Sequence, residues 1–264
     1  MFARTGRLAL FLLAGAPAAA VAQFSYAPGT SQYRITSSMK GAQEVMGQRQ
    51  EMESSSNQLV TVAVARAGRD TLQVTTTMDS IAIIGPMGMA PPGIDQIRGT
   101  TVVARVSPTG QVYAVTTPAP DSLTEAANLT YEMSNVLPKV RPGIKAGATW
   151  TDTTSRKASQ GGLDIDRSIV ATYRVAGDTT IGGQKAWKIA RTAKVAVTGS
   201  GAQGGQPMTL EGTEDHMGTL AVTPNGNFLG YANEVQATIK VLLAANGMEV
   251  GITQNATTKI EKVR

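Results

Sequence analysis

An antiparallel, all-β domain is what this sequence predicts, and three observations predict it. Apolar and polar residues alternate with a period of two over almost every informative window, and tight-turn signals punctuate the alternating runs. The mature composition is rich in Val, Thr, Ala and Gly, and the chain contains no cysteine, so the domain is built without disulfides.

Taken in order, the first 22 residues read as a leader. Arg4 and Arg7 precede an apolar run from Leu8 to Ala16, and Ala18-Ala19-Ala20-Val21-Ala22 precedes Gln23. Ala20 and Ala22 are small enough for the two shallow pockets of a signal peptidase, which places the cut after Ala22. The apolar run falls far short of the roughly 20 residues of a spanning helix, and no other segment approaches that length. The expected address is the periplasm or the outside of the cell, with no membrane span after cleavage.

Residues 23–264 are expected to form one β-rich domain. Leu59, Val60, Val62 and Val64, a turn at Ala67-Gly68, then Leu72, Val74, Thr76 and Met78 read as a hairpin. Ser107-Pro108-Thr109-Gly110 and Thr223-Pro224-Asn225-Gly226 each have Pro at the second and Gly at the fourth position, the preferences of a type I turn. Val235, Ala237, Ile239, Val241 and Leu243 share one face against Glu234, Gln236, Thr238 and Lys240 on the other. Asn246-Gly247 then turns the chain into Met248, Val250 and Ile252, a second hairpin.

The two Pro-containing turns align as an internal repeat. Gly99-Thr100 leads to Val106 through Val112, and Gly218-Thr219 leads to Val222 through Phe228. The expectation is two similar β halves, 24–117 and 148–264, joined by a helical linker over 118–147. Within that linker Ser122-Leu123-Thr124-Glu125 is a capping box, with Leu123, Ala126, Ala127, Leu129, Met133 and Val136 on the following face and Pro138 as the stop. One helix over about 122–136 follows. Gly85 to Gly93 and Gly199 to Pro207 lack periodicity and read as mobile loops.

Composition removes several function classes. Without cysteine there is no thiolate metal site, cysteine nucleophile or lipid-modified N-terminal cysteine. Of 24 Lys and Arg two lie in the leader, so against 19 carboxylates the remainder carries +3, too mild and too interspersed to imply nucleic acid. Charged groups such as Lys185, Lys188 and Arg191 read as solvated strand faces. Aromatic residues make up 5% of the chain, too few for the stacking platforms of a sugar site or the two girdles of a transmembrane β-barrel. No Gly-rich run lies between a strand and a helix to cradle a phosphate.

Few residues invite chemistry. His216 is the only histidine. On a strand it shares a face with Glu214, a pairing suited to acid–base work, but the simpler reading is an exposed strand histidine. Asp164 and Asp166 supply two oxygens where calcium needs six or more ligands, and read as a strand entry. Met87 and Met89 resemble a thioether pair for copper(I), and read more simply as part of a hydrophobic loop. Trp150 and Trp187, near the starts of long strands, read as core anchors. No catalytic residue, metal site or cofactor is predicted.

Two stretches carry a resemblance: Leu137-Pro138-Lys139-Val140-Arg141-Pro142-Gly143 running on to Trp150, and Gly177-Asp178-Thr179-Thr180-Ile181-Gly182-Gly183 running on to Ile189. They resemble exported bacterial β-rich proteins of uncharacterised function, and through them, distantly, the periplasmic lipoprotein-carrier superfamily. The resemblance implies a large curved sheet or open half-barrel with the helix against its concave face, the loop 85–93 as a lid, and an apolar cavity for a lipid or acyl chain. Met87, Met89, Leu129, Met133, Trp150 and Trp187 are then the expected ligand-binding residues. The function expected is a non-enzymatic binding or scaffold protein of the cell envelope. Two alternatives stand beside it: a structural or adhesive protein engaging an envelope partner, and an exported hydrolase.

Overall fold

The computed structural model describes residues 24–85, 88–90, 94–115, 133, 136–160, 162–203, 205–243 and 247–264. The leader expected over 1–22 lies outside them. Eleven strands form a single antiparallel sheet: β1 (Gly29–Val45), β2 (Gln48–Arg66), β3 (Leu72–Ile84), β4 (Thr101–Val106), β5 (Val112–Val115), β6 (Thr149–Gln160), β7 (Leu163–Ile181), β8 (Gln184–Gln203), β9 (Gln206–Val222), β10 (Phe228–Leu243) and β11 (Met248–Lys262). Their order is β5-β4-β3-β2-β1-β11-β10-β9-β8-β7-β6. Two meanders therefore run outward from a central seam where β1 pairs with β11, Tyr33 opposite Lys262 through Val45 opposite Val250.

The sheet is open but strongly curled. β5 and β6 stand ten steps apart at opposite ends of the order, which at about 4.8 Å per step would separate them by roughly 48 Å in a flat sheet. Yet Val112 and Val115 of β5 and Asp152 and Arg156 of β6 line one cavity. Residues 136–140 cross between the edges: the Val140 amide donates to the Thr109 carbonyl beside β5 at 2.8 Å, and Lys139 Nζ lies 2.7 Å from Asp152 Oδ2 on β6.

Alternation decides which residues form the core. Inward positions at one end of the sheet, including Tyr33, Val60, Val62, Val74, Val102, Val175, Ile189, Leu220, Val222 and Phe228, join Met133, Val136, Leu137 and Val140 in one buried cluster. Outward positions carry exposed ion pairs such as Lys40–Glu53, Lys194–Asp215 and Lys240–Glu249. Of the helix expected over 122–136, Met133 is helical and buried and Val136 lies in a buried bend, while the rest falls outside the described residues.

The loop expected over 199–207 is corrected. Gly199 to Gln203 continue β8 and Gln206-Pro207 begin β9, with Gly201 opposite Met208 and Gln203 opposite Gln206. Gly201 reflects close approach rather than freedom: a Cβ there would meet the backbone of Gly162 and Leu163 on the neighbouring hairpin.

The two Pro-containing turns are structurally alike. In each the fourth-position glycine amide donates to the first residue's carbonyl at 3.0 Å, and the first residue's hydroxyl accepts from the amide four residues on: Ser107 from Gln111, Thr223 from Asn227. The segment 24–28 bridges them, the Tyr26 amide donating to Pro108 O at 2.8 Å and the Ala27 amide to Gly226 O at 3.0 Å. Tyr26 Oη donates to Pro138 O at 2.6 Å, so this bridge also holds the crossing segment.

Burial, and secondarily repulsion from Tyr33, raises the Tyr26 pKa well above 10; burial pushes Tyr33 up to about 12. Both phenols hold their protons more tightly folded than unfolded. Their contribution is complete below the unfolded pKa of about 10 and is lost as pH climbs toward the folded values, at up to about 1.4 kcal/mol per pH unit per group. Thermal melts from pH 7 to 11.5 should show the melting temperature falling only above pH 10. In Tyr26→Phe that fall should be shallower, with about 1 kcal/mol lost at neutral pH with the hydrogen bond. An unchanged alkaline limb would contradict this role.

Candidate functional site

The cavity shared by the two sheet edges has a volume of about 560 Å³, within the roughly 300–1,000 Å³ of small-molecule sites. One wall is apolar: Val112 and Val115 of β5, Val136 and Leu137 of the crossing segment, Ile169 and Ala171 of β7, Leu220 of β9 and Ile260 of β11. Tyr173 and Tyr231 continue it, Tyr173 stacked on Trp150 with centroids 5.0 Å apart.

Its other wall is cationic. Arg156 on β6 and Arg191 on β8 line the cavity, and the register sets Arg156 directly opposite Arg167 on β7. Two like charges facing each other across neighbouring strands repel. The compensating carboxylate comes from β9, two strands from β7: Glu214 Oε1 lies 3.4 Å from Arg167 Nε, and Oε2 lies 2.8 Å from His216 Nε2. These side chains are largely buried, Glu214 being 11% exposed, His216 18% and Arg167 32%.

The hydrogen bond from His216, reinforced by Arg167, keeps the Glu214 carboxyl below its ordinary pKa despite burial. Burial, then repulsion from Arg167 and Arg191, brings Arg156 down to about 10, partly offset by Glu214. It still carries its charge at neutral pH. Arg191 interacts with the Tyr231 hydroxyl, whose own pKa is raised chiefly by burial.

His216 therefore departs from the sequence expectation. It faces the hollow rather than solvent, because its partners on the same inner face are Leu210, Glu214 and Leu220 at even spacing along β9. Arg191 departs likewise, sharing its face with buried Ile189, Ala193 and Val195. Both were legible in principle: a polar residue in the apolar phase of a strand points inward whatever its charge. Asp164 and Asp166 sit outward and exposed at the start of β7.

Of the six expected ligand-binding residues, Met89, Met133, Trp150 and Trp187 are among the described ones. Met87 and Leu129 lie outside the described residues. Met89 is 62% exposed. Met133 is buried in the main core, and Trp150 and Trp187 pack against it. None of these four lines the 560 Å³ cavity, although Trp150 supports it through Tyr173.

No family model and no curated protein matches the sequence. Among solved structures, the chain is similar to the hypothetical lipoprotein YmcC from Escherichia coli, at 11% identity over 82% of this chain and 85% of that one, TM-score 0.23. It is similar to Pseudomonas aeruginosa OpdQ, at 8% identity over 90% and 100%, TM-score 0.26. A putative outer membrane lipoprotein-sorting protein domain from Vibrio parahaemolyticus aligns at 10% identity over 88% and 83%, TM-score 0.17.

Proposed function

We propose that this is an exported protein of the cell envelope that holds the apolar part of a lipid-like ligand in the hollow of its open sheet, without catalysis. The observation that carries the reading is a cavity lined from both sheet edges and the segment crossing between them, whose apolar side chains come from β5, that segment, β7, β9 and β11. Such walls suit an alkyl chain, which needs burial more than specific polar partners. The leader read at 1–22 supports export. The outward face, with its exposed ion pairs, suits an aqueous compartment better than a lipid-facing surface.

Purified protein mixed with a total envelope lipid extract should melt at a higher temperature than protein alone. A ligand at about 100 times its Kd contributes about 2.7 kcal/mol, which for a chain of this size is a rise of roughly 5–10 °C. Fractionating the extract then identifies the active class. If no lipid class shifts the transition, the reading is wrong.

A further inference from the structure

Resting on the reading of the hollow as a ligand cavity, we propose that its occupant is an anionic amphiphile, its carboxylate or phosphate headgroup held by Arg156 and Arg191 and its alkyl chain laid against Ile169 and Leu220. The charge of the walls points this way. Among the described residues, Arg156, Arg191 and Lys139 line the cavity against one carboxylate, Asp152, which Lys139 already holds at 2.7 Å. Next to them Arg167 stands opposite Arg156, and the one carboxylate Glu214, which pairs with Arg167 and His216, is shared with Arg156.

Nothing in the making of a β-sheet requires three arginines in the apolar phase of β6, β7 and β8. Desolvating a guanidinium is costly unless opposite charge compensates it. Arg156 and Arg167 raise that cost by facing each other, so among the described residues around the cavity the cationic side chains, Lys139, Arg156, Arg167 and Arg191, outnumber the carboxylates, Asp152 and Glu214. A ligand anion supplies the balance, and the planar guanidinium fork suits carboxylate or phosphate oxygens in pairs. A neutral headgroup leaves the excess uncompensated, and a cationic one adds to it. Arg191 is held by Tyr231, which also borders the apolar wall, so headgroup and chain subsites meet at one residue.

The test compares four sixteen-carbon probes below their micellar concentrations: hexadecanoate, hexadecyl phosphate, methyl hexadecanoate and hexadecyltrimethylammonium. At least one acid should bind about tenfold or more tightly than the methyl ester, the size of effect expected of a charge-assisted contact, and the cation should bind weakest. The preferred acid distinguishes a fatty acid from a phosphate lipid. Arg191→Gln and Arg156→Gln should each shrink the acid preference to within about threefold while leaving ester binding intact, and Arg191→Lys should retain most of it. Ester binding serves as the check on folding; should Arg191→Gln lose it, Arg156→Gln on the edge strand decides.

Equal binding of acids and ester by the unaltered protein, or a preference that survives both Gln substitutions, overturns the headgroup site and leaves the apolar cavity standing. Failure of all four probes removes the cavity reading together with it.

Discussion

Gly226→Ala is expected to destabilise the protein by about 3–5 kcal/mol, on the scale of the largest single-residue effects. Gly226 has φ of +88°, a conformation that costs an L-residue roughly 1 kcal/mol or more. The greater part comes from space. A Cβ there would collide with the Ser25 carbonyl oxygen and stand 2.8 Å from the Ala27 amide nitrogen, backbone atoms with no side-chain freedom to yield.

The segment 24–28 would have to lift away, breaking the Ala27–Gly226 hydrogen bond and drawing Tyr26 off Pro108 and Pro138. Gly182→Ala is the control: its φ is +55° with nothing within 4 Å of a built Cβ, so it should cost about 1 kcal/mol. Urea unfolding of the two variants measures both. Equal midpoints would show that the bridge between the repeated turns contributes little.

Glu214→Ala is expected to cost about 2–3 kcal/mol at pH 7, because it leaves Arg167 and Arg156 opposed on the inner face without their shared carboxylate. The loss is smaller than for a fully buried pair because the Arg167 side chain is 32% exposed and water screens it. The pH dependence gives an independent signature. His216 and Arg167 lower the folded pKa of Glu214, so its stabilisation is complete above the unfolded value of about 4.3 and is lost as pH falls through the folded one. Between pH 6 and pH 3 the parent should lose stability more steeply than Glu214→Ala. Parallel acid limbs would mean that the carboxylate does not hold this wall together.

The candidate site was half-written in the chain. Ile165, Arg167 and Ile169 on β7, Ile189, Arg191 and Ala193 on β8, and Leu210, Glu214 and Leu220 on β9 each keep one parity, so the inward course of the charges follows from alternation alone. They read as solvated because charge ordinarily outweighs phase when a strand is half-exposed. Curling changes that balance, since a concave inner face is shielded from water even at positions a flat sheet would leave wet. Trp150 illustrates the reverse: the resemblance makes it a ligand contact, yet it packs against the core, as its place near a strand start suggests, and stacks on Tyr173, which takes the cavity position.

By itself the sequence determined the alternating runs of β2, β3, β10 and β11 and the paired turns at Ser107 and Thr223, because these rest on interactions between residues a few positions apart. Only the tertiary structure decided that β1 zips to β11, that edges ten steps apart share one hollow, and that arginines from β6 and β7 share a carboxylate from β9. Those are pairings between residues far apart in the chain, such as Tyr33 opposite Lys262, set by register and curvature, which no local pattern encodes.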